Sequence, residues 1–173
     1  MKYETFVIDP EEKNLWNKFL DLFPDNKKDI YYFADYVNLY KNKICKPKCF
    51  IYKSKENIFF YPFIQRNISK TKYYDTITPY GYGGPITKIY DQEFILDAIN
   101  NLKTYANEND IICEQIKFHP LLKNHLDFKG IDSHKIYKAC DTVTIDCSND
   151  IDFMWSKIYK KSNKEQIKKI QNR

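Results

Sequence analysis

Three of the four glycines in this 173-residue chain fall at positions 81, 83 and 84, between Pro79 and Pro85. A chain this poor in glycine must build its turns from Asn, Asp, Lys and Pro. It spends glycine where the backbone needs positive φ or a close approach that a Cβ would block. The stretch Pro79-Tyr80-Gly81-Tyr82-Gly83-Gly84-Pro85 therefore reads as a rigid, sharply bent loop. Two readings stand side by side: a substrate-lining loop at a strand end, or a tight connection between a strand and the next helix. It is not a phosphate cradle, because it lacks both the Gly-Lys-Ser/Thr ending and the G-x-G-x-x-G spacing.

The periodicities around this loop predict an α+β fold with one mixed, antiparallel-rich sheet flanked by helices. Asp9-Pro10-Glu11-Glu12 has the chemistry of a helix start, and Leu15, Trp16, Phe19, Leu20 and Phe23 follow at helical spacing. A second helix is expected over 30–41, with Phe33, Tyr36, Val37 and Tyr40 on one face. Strand-like runs at 49–52 and 58–65, joined by a polar turn, predict a hairpin. A further strand over 73–78 leads into the glycine loop. Asp91 is placed to cap a helix with the stripe Phe94, Ile95, Ala98, Ile99, Leu102, Tyr105 and Ala106. Strands are expected over 111–118 and 142–147, with a short helical turn through Leu121, Leu122 and Leu126 between them. A fourth helix is expected to be capped by Ser148, and a basic helix runs over 164–173.

The formal net charge of +5 is unevenly spread. Residues 157–173 carry seven basic side chains against one acid, Glu165, so that end holds +6 and the other 156 residues about −1. A nucleic-acid binder is expected to carry positive charge on a face of its folded body, and here it sits at one end. Three readings of that tail remain open: a solvated helix face, pairing with a further domain, or engagement of an anionic partner such as RNA. No stretch reaches the ~18 to 20 apolar residues of a membrane span, and the N-terminal residues have no signal-peptide pattern. Five cysteines without framework spacing read as reduced thiols, Cys113 and Cys147 as core thiols, and the expected compartment is the cytoplasm.

Candidate chemistry is sparse. His119 beside Pro120 at a strand end is either a general base or a structural hydrogen-bonder; His125 and His134 read as surface residues. No His/Cys set has metal-ligand spacing, so no metal is expected. Lys41 closes the aromatic second helix. It is either a cation at the negative helix end or a lysine that meets an anionic substrate at the domain edge.

The segment Tyr74-Asp75-Thr76-Ile77-Thr78-Pro79-Tyr80-Gly81-Tyr82-Gly83-Gly84-Pro85 resembles the S-P-Y-G-Y-G-G-P segment of GNAT-like proteins related to the Fem peptidoglycan bridge transferases. Other segments resemble the same group in the same order: Tyr32-Phe33-Ala34-Asp35-Tyr36 onward to Lys41, Ile58-Phe59-Phe60-Tyr61-Pro62-Phe63-Ile64-Gln65-Arg66, and Ile116-Lys117-Phe118-His119-Pro120-Leu121, with Lys117 where Arg is usual. So do Thr142-Val143-Thr144-Ile145-Asp146 and Lys161-Ser162-Asn163-Lys164. The resemblance implies a GNAT-like N-terminal domain over 1–159, with 160–173 beginning a basic helix that leads into a second GNAT-like domain of the same protein. It implies an acyltransferase moving an acetyl or aminoacyl group to an amine of a cell-envelope sugar or peptide precursor, whether a small molecule or lipid-linked. The implied donor of the full-length protein is acyl-CoA or aminoacyl-tRNA, with tRNA the one nucleic-acid partner, and no donor is expected on this chain alone. By the same resemblance Lys41, Tyr80, Gly81, Tyr82, Gly83, Gly84 and Pro85 bind the acceptor. No catalytic residue stands out, as suits chemistry that rests on positioning. The alternative from a different class is a non-catalytic module whose basic C-terminal tail engages an anionic partner.

Overall fold

The computed structural model describes residues 3–131 and 135–171. The chain divides into two compact units, Met1–Tyr137 and Lys138–Arg173.

The first unit is organised by one strand. β3 (Ile58–Asn67) is almost wholly buried, because both of its faces are covered. Its sequence therefore reads as a continuous apolar run, where a half-exposed strand would alternate. β2 (Cys45–Lys53) pairs antiparallel on one side of it, and β1 (Glu4–Ile8) on the far side of β2. On its other side, β4 (Tyr74–Ile77) pairs with Ile64 to Asn67, and the two-residue β5 (Ile86–Thr87) pairs with Phe59 and Phe60. Between these two partners lies Pro62, which has no N–H to give. A proline in a central strand is tolerated here because β4 and β5 each take one end of β3. β6 (Ile111–Gln115) closes the order β1-β2-β3-β4-β6, running parallel to β4. A parallel neighbour requires a crossover, and α3 (Gln92–Glu108) supplies it, capped by Asp91, whose carboxylate accepts from the Phe94 N–H at 3.1 Å.

The sheet carries a separate core on each face. On one side α1 (Lys13–Leu20) and α2 (Ala34–Asn38) pack Trp16, Leu20 and Val37 over Cys49, Ile51, Phe60 and Ile64. On the other side α3 sets Phe94, Ile95, Ala98 and Ile99 over Phe50, Phe59, Tyr61 and Phe63, joined by Phe128 and Ile131. The observed order of strands and helices is the α+β, antiparallel-rich sheet expected from the sequence.

Several boundaries differ from expectation. The expected helix over 30–41 is broken: Ile30–Tyr32 forms a 3₁₀ turn and Phe33 is extended (φ −79°, ψ 142°) before α2 begins. The Trp16 indole N–H donates to the Tyr32 carbonyl at 2.8 Å, diverting an acceptor that a continuous helix would use internally. α1 starts at Lys13, since Asp9 to Glu12 close a turn of their own. β1 was not expected, being a five-residue edge strand of which only Ile8 is buried. The strand expected over 111–118 ends at Gln115, beyond which only an isolated bridge joins Gly83 and Phe118. Cys113 is exposed, because β6 is an edge strand with little covering it; Cys49 is the buried thiol. His125 is half-buried with its ring against Phe118 instead of lying on the surface. His134 lies outside the described residues.

The second unit contains α4 (Ile151–Phe153), which runs on into a wide π turn over Met154–Ile158, and α5 (Lys161–Gln171). Asp150, not Ser148, caps α4, accepting from the Phe153 N–H at 2.8 Å. No strand forms over 142–147. Alternation fits a strand, but a strand also needs a ladder to a neighbour, and here Val143 is 89% exposed. Asp146 turns the chain by accepting from both the N–H and the hydroxyl of Ser148. Cys147 is accordingly exposed. α5 is strongly basic with Ile170 exposed, as the tail's composition predicts.

Candidate functional site

The glycine loop leaves the end of β4 and is fixed from three sides. Gly81 has φ +97°, and a Cβ built there would lie 2.3 Å from Cε1 of Tyr31, so the ring occupies the volume a side chain would need. Gly84 has φ +81°, and its Cβ would press on Ile116 and Phe118 at 2.9 and 3.0 Å. Both positions need positive φ and lack room, which is the pairing of demands that only glycine meets.

From below, Asn124 acts as a buried clamp. Its amide Nδ2 donates to the carbonyls of Gly83 and Pro85 at 2.8 and 2.9 Å, while its Oδ1 accepts from the His119 N–H at 2.9 Å. The Gly83 N–H donates to the Lys117 carbonyl, and the Lys117 N–H to the Thr78 hydroxyl, both at 2.9 Å. From above, the Tyr36 hydroxyl donates to the Tyr80 carbonyl at 2.7 Å, and that of Tyr40 to Tyr36 at 3.2 Å.

His119 resolves into its structural reading. It is buried, and both ring nitrogens are engaged. Nδ1 accepts from the Leu122 N–H at 3.2 Å, which leaves the proton on Nε2 to face Asp29 Oδ2 at 3.2 Å. The ring also meets the edges of Tyr31 and Tyr82, which in turn meet each other. Burial first, then the Asp29 charge, pushes the Tyr31 phenol up; burial and the Tyr40 hydroxyl do the same for Tyr36. These phenols are therefore hydrogen-bond donors at neutral pH and not bases.

Beside the loop opens a cleft of about 510 Å³. Tyr40, Arg66, Thr78, Tyr80, Gly81 and Lys117 are among its lining residues. Arg66 is held by a bidentate pair with Asp75, Nε to Oδ1 at 2.9 Å and Nη2 to Oδ2 at 2.6 Å, and remains part-exposed. The Lys117 ammonium lies 4.8 Å from the centre of the Tyr82 ring. The cleft thus combines two cations, aromatic faces and a rigid backbone rim, which suits an anionic molecule with polar groups to orient.

The structure brings the expected site residues together only in part. Tyr80, 80% exposed, and Gly81 line the cleft. Tyr82 is half-buried and turned toward Tyr31 and His119, whereas Gly83, Gly84 and Pro85 are buried framework. Lys41 stands apart from the cleft lining: its ammonium pairs with Glu11, on the turn before α1. Tyr31, Asp29 and Asn124 were not singled out from sequence. The aromatic stripe of 31–40 carried a signal for Tyr31; a lone Asn in a polar stretch carried none. Among the described residues no group of three or more His, Cys, Asp or Glu is arranged to hold a metal ion. No helix among them is long and apolar enough to cross a membrane.

No family model matches the sequence, and no curated protein matches it. Among solved structures the chain is similar to a ribosomal-protein-alanine N-acetyltransferase from Brucella melitensis biovar Abortus 2308, with a TM-score of 0.50 and 11% identity. The match covers 86% of this chain and all of that one. A likeness at this identity is one of fold. The fold is GNAT-like, a mixed and mostly antiparallel sheet flanked by helices.

Proposed function

We propose that this chain is the acceptor-binding, N-terminal part of an acyltransferase of the GNAT type related to the Fem group, acting on an amine of a cell-envelope sugar or peptide precursor. The observation that carries this reading is the clamped glycine loop on the rim of a cleft holding Arg66 and Lys117, set at the end of β4 in a GNAT-like sheet. The cations suit the phosphates or carboxylates of such a precursor, and Tyr80 offers an exposed ring and hydroxyl to its sugar or peptide. A rim fixed by Asn124 and Tyr31 does not reorganise on binding, so binding energy goes into orienting the amine.

In the reaction the acceptor nitrogen attacks the acyl carbonyl carbon of a thioester or ester. The C–S or C–O bond breaks, the thiol or hydroxyl leaves with a proton, and the amine loses one. The donor is acyl-CoA, in keeping with the GNAT-like fold, or aminoacyl-tRNA, in keeping with the sequence resemblance. In this reading a second GNAT-like domain, reached through the basic helix, contributes to the donor site.

The test is to measure transfer from acyl-CoA and aminoacyl-tRNA to envelope-precursor amines, with this chain and with a chain extended past Arg173. Transfer by the extended chain, abolished or reduced by Tyr80→Ala with Lys117→Ala, supports the proposal. An extended chain that binds neither donor overturns it.

A further inference from the structure

We propose that the α3 face of the sheet holds a second binding site, a cleft between α3 and β6 that takes a small neutral molecule with an apolar body and one hydroxyl-type head. The cleft has a volume of about 370 Å³, within the range of small-ligand sites. Its floor is Tyr61 and Phe63 of β3 with Thr76 of β4, and its wall is Ile99, Leu102 and Tyr105 of α3.

The floor contains polar atoms that the fold leaves without a well-formed hydrogen bond. Tyr61 is fully buried and Thr76 is 4% exposed, yet no hydrogen bond of normal geometry engages Tyr61 Oη or Thr76 Oγ1 among the described residues, although the two side chains and Glu114 are neighbours. Gln65 Oε1 is buried in the same condition, and strand pairing sets Gln65 directly opposite Thr76. Buried polar groups are satisfied in more than about nine cases of ten, and leaving one unpaired destabilises the fold. Two of these atoms belong to residues that line the cleft, and the third lies beside them on the same face of the sheet, which marks a place shaped to give hydrogen bonds to something else.

The chemistry of that occupant follows from the walls. The Tyr61 and Thr76 hydroxyls each donate or accept, so a hydroxyl head that does both satisfies them. Burial, then the Glu114 carboxylate, holds the Tyr61 phenol well above its ordinary pKa, so it remains a donor. Lys103 and Glu114 also line the cleft, and their opposite signs give no net preference for an ion. The side chains of α3 and Phe63 require an apolar ring or chain. This site is independent of the acceptor cleft: alternation along β3 points Tyr61, Phe63 and Gln65 to the α3 side and Ile64 and Arg66 to the loop side.

The experiment is an amide NMR titration of the full chain with p-cresol, with toluene, benzoate and benzylammonium as comparators. p-Cresol is expected to give saturable shifts at Thr76, Ala106, Ile112 and Glu114 and to bind about tenfold tighter than toluene, the factor one well-made hydrogen bond supplies. Thr76→Val and Tyr61→Phe, which delete only hydroxyls, are expected to cut that preference to about threefold or less. The absence of saturable shifts, equal binding of toluene, stronger binding of either ion, or an undiminished preference in folded variants overturns the proposal. If a variant does not fold, the wild-type ratio of p-cresol to toluene decides.

Discussion

The ring of Tyr31 fills the space that a side chain at Gly81 would occupy, with Cε1 2.3 Å from the position of a Cβ. This contact ties the 3₁₀ turn before α2 to the rim of the cleft, and the shape of the site rests on it. Gly81→Ala is expected to destabilise the fold by about 2–4 kcal/mol, from strain at φ +97° together with the clash. Gly130→Ala is the control: it shares the positive φ (+86°) but meets open space, and its expected cost is about 1 kcal/mol. A double-mutant cycle by urea denaturation checks the account, because Tyr31→Ala should recover part of the Gly81→Ala loss and none of the Gly130→Ala loss.

Asn124 uses both ends of its amide on backbone groups of the loop and of His119. Asn124→Ala strands two carbonyls and one N–H in a buried place, with an expected loss of about 2–4 kcal/mol. Asn124→Asp keeps the acceptor for the His119 N–H but sets a carboxylate against the Gly83 and Pro85 carbonyls. It should be as damaging at neutral pH and less so in acid, where a protonated carboxyl can donate to one of them. Chemical denaturation at two pH values distinguishes the variants.

Asp127 gives an unusual pH dependence. Burial pushes its carboxyl above the ordinary range, against the opposing influence of Lys27, the Thr87 hydroxyl and His125. The folded state therefore binds this proton more tightly than the unfolded chain does. The contribution of Asp127 to stability is present below the unfolded carboxylate pKa and lost as pH rises through the folded value. Asp127→Asn should remove that dependence and raise stability at neutral pH, as read from melting temperatures across pH 3 to 7.

Glu11 behaves in the opposite sense. The hydrogen bond from Lys41 holds its carboxyl below the ordinary range, so its contribution is present above the unfolded pKa and lost as pH falls through the folded one. Both side chains are about half exposed, and such pairs contribute roughly 0–1 kcal/mol. Lys41→Met should therefore leave stability within about 1 kcal/mol of wild type. If Lys41 binds the acceptor, the same substitution weakens acceptor affinity about tenfold; if it serves only Glu11, affinity does not change.

How far the sequence revealed this arrangement depended on whether one segment carried its own signal. The β2–β3 hairpin and α3 were legible because long apolar runs and the Asp91 cap are local features. β1 was not, since a five-residue edge strand is too short to show a clear alternation. The 142–147 segment shows the converse: Val143, Ile145 and Cys147 alternate as in a strand, but pairing is a property of two segments. At the site, the loop announced itself through scarce glycine. Asn124 did not, because its role depends on contacts some forty residues away in sequence. The second cleft was also hidden: Tyr61 and Thr76 look like ordinary strand residues until strand pairing and α3 bring them to one cleft.

The most direct test of the central claim is an amide NMR titration of this chain with an amine-bearing stem-peptide probe linked to a nucleotide sugar. The account predicts saturable shifts confined to 78–82 and 115–117 with the Arg66 side chain, and their loss in the Tyr80→Ala, Lys117→Ala double variant. Shifts that map elsewhere, or none at concentrations that saturate known acceptor sites, would contradict it.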